Sequence, residues 1–416
     1  MRRRRNRLAR GSRSKTRVAF IAPEFPTEPK LSGGIGNYAA KMAAALTAAG
    51  VDVEVFVPST ANGVLDFDGI RVQRVLGERS LVARGAARAV NLIAGSRGDL
   101  IVHLMNARRL ASAVEERHRE RPFDVIQSSN HNLTGHYLEP SDDRVHLVRI
   151  STSRRLYDQE RGRRAAFIGG LVEALDVKGM RRADAVYAPS AFLAEHFRRS
   201  HDLDVHIVRP PAELGAAPAG SIDAELPTRY LVHFGSLSER KGTDAIAQAL
   251  PEVWASEPAF CMVWVGQIAD AAVARFRSAW GPNASNVAIL GPRAKPELYR
   301  VVLDAVASVL PSTVDNLPNT VIESLALGVP VIGSDGASID ELVEPGSSGL
   351  LVPIGDARAL ARAMLQVWRD EVPWSGRGFT MPATLAAMHP DRAVQAFLEF
   401  ASDARARNDH ARSGTR

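Results

Sequence analysis

Short apolar runs alternate with amphipathic stretches of helical period along most of this chain, which is the pattern of a parallel sheet wrapped by helices. The alternation occurs twice. The first set of runs is Arg17 to Ala22, Val51 to Val57, Ile70 to Val75, Val125 to Gln127, Leu147 to Ser151 and Ala185 to Ala188. The second begins at Tyr230 to Phe234 and continues through Met262 to Val265, Val287 to Leu290, Ser308 to Leu310, Val329 to Ile332 and Leu350 to Val352. Between the sets, Arg209 to Gly220 is rich in Pro, Ala and Gly and has no periodic face, so it reads as a linker. The expected fold class is α/β, with two doubly wound domains whose strand ends face each other across a cleft, where ligands of such sheets bind.

A chain of 416 residues, 45% hydrophobic and 24% charged, is long enough to bury two cores. A single cysteine, Cys261, excludes an internal disulfide, and no apolar run suggests a membrane span or a signal peptide, so a cytoplasmic body is expected. The formal charge of +6 misleads, because nine basic residues and no acid lie in the first 17 positions, leaving 43 basic against 46 acidic residues elsewhere. A run of like charge without an apolar face suits a solvated, extended arm, or one drawn to an anionic membrane surface at the inner face of the cell membrane. A nucleic-acid partner is not expected, since the arm contains no aromatic residue for stacking on bases.

Three segments carry candidate chemistry. In Pro311 to Glu323, Asp315 and Glu323 stand eight positions apart, the first in a loop and the second inside a helix that begins near Asn319. Pro318 and Asn319 suit a helix start, whose free amides, with Thr320, form an anion site for a diphosphate; the two carboxylates suit sugar and ribose hydroxyls. Ser32 to Asn37, ahead of a helix over Tyr38 to Ala49, brings Gly33, Gly34 and Gly36 to a phosphate-style loop; a plain strand-to-helix turn is the simpler reading. Gly34 to Ala39 also fits the dinucleotide pattern of an NAD(P)-dependent oxidoreductase. About ten residues intervene after the strand, however, and Glu54 sits within the next strand instead of at its tip. Arg240 and Lys241, in Gly235 to Asp244, oppose the dipole of the helix they open unless an anion joins them, which points to phosphate or else to a solvated surface pair.

These residues in register resemble the retaining glycosyltransferases of the GT4 family, which have the GT-B architecture of two Rossmann-like domains. The resemblance rests on Gly33 to Gly36, on Gly235 to Gly242 as a Gly-x-Leu-x-x-x-Lys-Gly segment, and on Asp315 to Glu323 followed by Gly328 to Ile332. It extends to Gly336 to Val343, where the family places a further glutamate, here Glu341, and to the closing strand Gly346 to Pro353. What it implies is metal-independent transfer of a sugar from a nucleotide-diphosphate sugar to a hydroxyl acceptor, with no cofactor. Lys241, Arg240, Asp315 and Glu323 would be catalytic, and Gly33, Gly34, Gly36, Ser236, Asn316, Leu317, Pro318, Asn319, Thr320 and Glu341 would bind the donor. Polysaccharide or cell-envelope biosynthesis is the implied setting.

The chain departs from the family pattern at three places. Ser236 stands where an arginine is common, Asp315 replaces the usual glutamate, and Ser151 to Ser153 lacks the usual histidine. That leaves His131, His136 and Ser151 as acceptor-side candidates. The departures also keep open an inactive nucleotide-binding scaffold. The division expected is a basic arm over 1–16, an acceptor-side domain over 17–209, a linker over 210–228 and a donor domain over 229–380. A C-terminal helix over 381–404 would cross back to the first domain by the same resemblance, followed by a tail over 405–416. The base, the sugar, the acceptor and the oligomeric state are not legible.

Overall fold

The first set of apolar runs builds one sheet. In the computed structural model, which describes residues 15–28, 34–77, 97–153, 156, 167–212, 220–372, 374 and 381–413, its strands are β1 (Arg17–Ile21), β2 (Asp52–Ser59), β3 (Gly63–Phe67), β4 (Ile70–Leu76), β5 (Val125–Ser129), β6 (Val145–Arg149), β7 (Ala185–Ala188) and β8 (Val205–Ile207). They lie in the order β3-β4-β2-β1-β5-β6-β7-β8, with only β3 antiparallel among the described strands. Strand β1 therefore separates chain running toward β2 from chain running toward β5. That reversal opens a crevice at the strands' carboxyl ends. Helices α1 (Gly34–Ala48), α2 (Arg97–Glu120), α3 (Phe167–Arg182) and α4 (Ala191–His201) cover the sheet.

The second sheet comprises β9 (Leu231–Phe234), β10 (Met262–Val265), β11 (Val287–Ile289), β12 (Ser308–Leu310), β13 (Val331–Ser334) and β14 (Gly349–Val352). All its pairings are parallel, in the order β11-β10-β9-β12-β13-β14, and the reversal falls between β9 and β12. Its helices are α5 (Thr243–Ser256), α6 (Asp270–Trp280), α7 (Lys295–Asp304), α8 (Asn319–Ala326), α9 (Ala357–Trp368) and the short α10 (Ala383–Ala387). Apolar residues fill both faces of this sheet, which is why its strands read as continuous runs instead of alternating ones. The last helix, α11 (Pro390–Ser413), returns to the first sheet. Its Val394, Phe397, Phe400 and Ala401 join that domain's core, with Phe397 stacked 6.2 Å from Phe20.

Three details differ from the sequence expectation. Strands β3 and β8 escape the apolar-run reading because each is short and partly exposed at a sheet edge. Helix α1 starts at Gly34 instead of Tyr38, so Gly34 and Gly36 belong to its first turn and not to a loop before it. Strand β13 runs Val331–Ser334, two residues later than the run Val329 to Ile332, because Pro330 has no amide to give to a central ladder. Arg17 opens β1, as its apolar run placed it, and pairs with Asp52 and Glu54. The arm except for Lys15 and Thr16, together with Gly33, residues 78–96, nearly all of residues 154–166 and residues 213–219 of the linker, lies outside the described residues.

Candidate active site

A cavity of about 420 Å³ lies where the carboxyl ends of the two sheets meet, and both domains line it. The second domain contributes Ser236, Arg240, Lys241 and the loop from Asp315 to Thr320. Geometry explains how these residues converge. Strand β9 is followed by Gly235 (φ 109°), where a Cβ would lie 3.0 Å from Thr320 Cγ2, so glycine lets the strand end press against the start of α8. The chain then turns through Gly242 (φ 79°), where a Cβ would lie 2.2 Å from the Pro311 carbonyl, and this close approach brings Lys241 over the loop after β12.

Lys241 meets Asp315 there. Its Nζ donates to Asp315 Oδ2, while Asp315 Oδ1 accepts the Asn316 amide at 3.0 Å, so the carboxylate is held at two points while 8% exposed. The anion that joins Lys241 in this structure is thus a side chain of its own domain. Arg240 donates to the Val314 carbonyl at 3.2 Å and also lines the cavity. Leu317 adopts φ 48°, with its amide donating to Ser338 Oγ at 2.6 Å, and Pro318 caps α8 without a side-chain hydrogen bond. With no acid in that first turn, its positive end stays available to an anion.

Beneath Lys241, the buried His233 ring donates from Nδ1 to the Val309 carbonyl (2.8 Å) and accepts at Nε2 from Thr243 Oγ1 (2.9 Å), tying β9, β12 and α5 together. Burial, with a smaller push from the Lys241 charge and against the Val309 bond, lowers its pKa to about 4. The supporting residue is therefore neutral at neutral pH.

The first domain forms the opposite wall with Gly34, Asn37, Tyr38, Lys41, His131, Arg149 and Ser151. Ser151 is set by its amide donating to Asn130 Oδ1 at 2.8 Å and by Ser129 Oγ at 3.0 Å. Asn316 bridges the two walls: its Oδ1 accepts from Ser190 Oγ at 2.8 Å and its Nδ2 donates to the Ser151 carbonyl at 3.1 Å.

Several expected site residues stand elsewhere. Glu341 does not line the cavity; its oxygens accept the Ala191 and Phe192 amides at the start of α4, both at 2.8 Å, and it pairs with Arg209 at 2.6 Å. In this structure the carboxylate ties the two domains together. The Gly36 amide is likewise taken, by Glu24 Oε1 at 3.0 Å. His136 faces α3, where a Cβ on Gly179 would lie 3.8 Å from its Nδ1, so only His131 of the two histidines reaches the cavity. Glu323 lies one turn along α8, half-buried and within 3.5 Å of the Tyr299 hydroxyl, while its neighbours Thr320 and Ile322 line the cavity. The sequence reading missed Tyr38, Lys41 and Arg149. The available signal was an arginine closing an apolar strand at Leu147 to Ile150, directly before a cleft loop. Glu54, weighed as a ribose ligand of a dinucleotide, is 1% exposed and held by Arg17 and Arg117, so no acid stands free at the tip of β2.

A family profile described as "Glycosyl transferases group 1" matches residues 228–370, and a second, "Glycosyl transferase 4-like domain", matches residues 33–212. The amylovoran biosynthesis glycosyltransferase AmsK of Erwinia amylovora is 33% identical over 107 residues, covering 24% of this chain and 25% of that protein. The lipopolysaccharide core biosynthesis mannosyltransferase LpcC of Rhizobium leguminosarum is 30% identical over 200 residues, 44% of this chain and 54% of that one. The match thus spans between a quarter and about half the length of these relatives. Among solved structures, Anabaena HepE in complex with UDP and glucose superposes with a TM-score of 0.62 over 92% of this chain and 99% of its own, at 17% identity, a likeness of fold.

Proposed function

The chain belongs to the group 1, GT4-like glycosyltransferases of GT-B architecture, and from that membership we propose that it moves a glycosyl unit from a nucleotide-diphosphate sugar to an acceptor hydroxyl. The observation that carries the reading is the Lys241–Asp315 pair beside the amino end of α8, on the second domain's wall of the cavity. As the bond from the anomeric carbon to the diphosphate breaks, negative charge grows on the leaving oxygen. Lys241, Arg240 and the first amides of α8 are fixed in place to stabilise that charge, and groups already oriented cost no reorganisation in the transition state. Asp315 is assigned a hydroxyl of the transferred sugar and Glu323, a turn further along α8, the ribose. His131 and Ser151 on the opposite wall lie where an acceptor would enter.

Retention at the anomeric carbon and independence of metal ions are part of this proposal, the cations and helix dipole taking the role that a divalent ion has elsewhere; turnover that survives a chelator is the outcome expected. By likeness to AmsK and LpcC, the setting proposed is assembly of a polysaccharide or of the cell envelope. No helix among the described residues is long and apolar enough to cross a membrane. The basic arm is proposed to add attraction to anionic lipid, about 1 kcal/mol per nearby basic residue. Salt-sensitive sedimentation with anionic vesicles, lost in a chain beginning at Thr16, checks that part.

The donor reading is tested by thermal shift against UDP, GDP and ADP sugars, one of which should raise the melting temperature by mass action. Lys241→Ala should then lower kcat/KM about a hundredfold or more, and near-normal turnover would sink the assignment. Donor binding with no transfer or hydrolysis would favour the inactive scaffold instead.

A further inference from the structure

Arg149 closes β6 at 7% exposure, and no carboxylate pairs with it among the described residues. Its guanidinium stacks 3.7 Å from the centre of the Tyr38 ring, and Nη1 donates to Ser151 Oγ at 2.7 Å. Its Nε is buried with no acceptor. The hydroxyls of Tyr38 and Tyr187, joined to each other at 2.8 Å, are the other polar groups beside it, and burial raises the pKa of both so that they stay neutral. A buried cation surrounded by neutral groups is costly, and one aromatic face with one hydroxyl returns only part of that cost. Elsewhere the chain avoids this situation: the equally buried Arg17 and Arg144 each meet a carboxylate, Glu54 and Glu115. Arg149 differs from them in lining the cavity.

A second cation shares its wall. Lys41 follows Tyr38 by three positions on α1, hence on the same face, lines the cavity, and makes no ion pair among the described residues. The first turn of α1 carries no acid and opens onto the same space through Gly34 and Ile35. Asp315 is the one carboxylate among the described lining residues, and it belongs to Lys241 on the opposite wall. Two separated pairs of cations therefore face one cavity, and a leaving diphosphate accounts for only one of them.

We propose that the first-domain wall is an oxyanion subsite, in which Arg149 and Lys41 hold a phosphate or carboxylate group that the acceptor carries beside the hydroxyl receiving the sugar. The word acceptor rests on the glycosyl-transfer reading; the anion site does not.

Inorganic phosphate titrated calorimetrically into the full chain and into Lys241→Ala, Lys41→Ala and Arg149→Gln variants separates the two walls. Phosphate is expected to bind the Lys241→Ala protein still, and about tenfold or more weakly when either first-domain cation is removed. Binding that is absent, that is abolished by Lys241→Ala, or that ignores Lys41→Ala overturns the subsite. Lys41 is half-buried and outside the core, so its variant carries the test if Arg149→Gln does not fold. A protein that binds phosphate through these residues but responds to no nucleotide sugar keeps the subsite and loses the transferase reading. With a donor in hand, a hexose, its 6-phosphate and its uronic acid compared as acceptors tell a phosphate from a carboxylate. A neutral hexose used as well as both charged forms overturns the assignment to the acceptor.

Discussion

His233 and His146 each spend their domain's burial on a neutral ring, and that choice sets an acid limit on the fold. His233 bridges Val309 and Thr243, and His146 meets Ser128 Oγ at 2.9 Å. Burial lowers their pKa values to about 4 and about 3, with the charges of Arg144 and Arg182 adding to the effect at His146. Both values lie below the roughly 6.5 of an unfolded histidine, so below that pH the unfolded chain takes up a proton that the native chain refuses. The stabilisation is complete above about pH 6.5 and is lost as pH falls toward the folded values. Between pH 7.5 and 5.5 each domain should lose about 1.4 kcal/mol from this source. Denaturant midpoints across that range check it, and a flat profile would count against the buried neutral rings. At this scale the second domain's wall of the cavity was legible, because Arg240, Lys241, Asp315 and Asn319 stand within short motifs at a strand end or a helix start. The contacts of Glu341 and Gly36 were not legible, because their partners, Arg209 and Glu24, are brought in by the fold and not by neighbouring sequence. Arg149 escaped notice because its lack of a carboxylate is a fact of packing.

Elements were easier to read than residues wherever burial was two-sided. The strands β7, β10 and β12 coincide with their apolar runs because a central parallel strand needs apolar residues on both faces, whereas the edge strands β3 and β8 do not. What sequence does not reveal is how closely elements approach. Gly242 joins the turn bearing Lys241 to α5 with φ 79° and a Cβ position 2.2 Å from the Pro311 carbonyl, so alanine there meets both a left-handed backbone and a main-chain clash. Gly50, after α1, has φ 85° with nothing within 4 Å of that position. Gly50→Ala should therefore cost about 1 kcal/mol, the conformational part alone, and Gly242→Ala clearly more. Because the clash pushes Lys241 away from the loop after β12, Gly242→Ala should also weaken nucleotide-sugar binding. Melting curves with and without nucleotide distinguish the two, and equal losses would show that the Pro311 approach is not tight.

For the molecule as a whole, Glu341 concentrates several contacts between the two domains. A carboxylate of the second domain sits at the positive end of α4, accepts two main-chain amides and meets Arg209, where the chain leaves the first domain for the linker. Asn316 adds Ser190 and the Ser151 carbonyl, so the loop carrying Asp315 is fastened to the acceptor wall by the same set of contacts. Glu341→Gln keeps the shape and removes the charge, which leaves Arg209 and the two amides with a weaker acceptor, a loss of about 1 to 3 kcal/mol. If Glu341 is a tie between domains, the variant should sample more open arrangements, giving a larger radius of gyration in solution scattering. Its acceptor KM should rise, while nucleotide affinity, built from Lys241 and α8 within one domain, stays within about threefold. Were Glu341 a donor ligand instead, nucleotide affinity would fall about tenfold or more with the dimensions unchanged. Arg209→Ala sharpens the comparison, because Arg209 does not line the cavity and, besides the tie, its side chain holds only the Pro189 carbonyl of its own domain among the described residues, so a matching open form points to the tie.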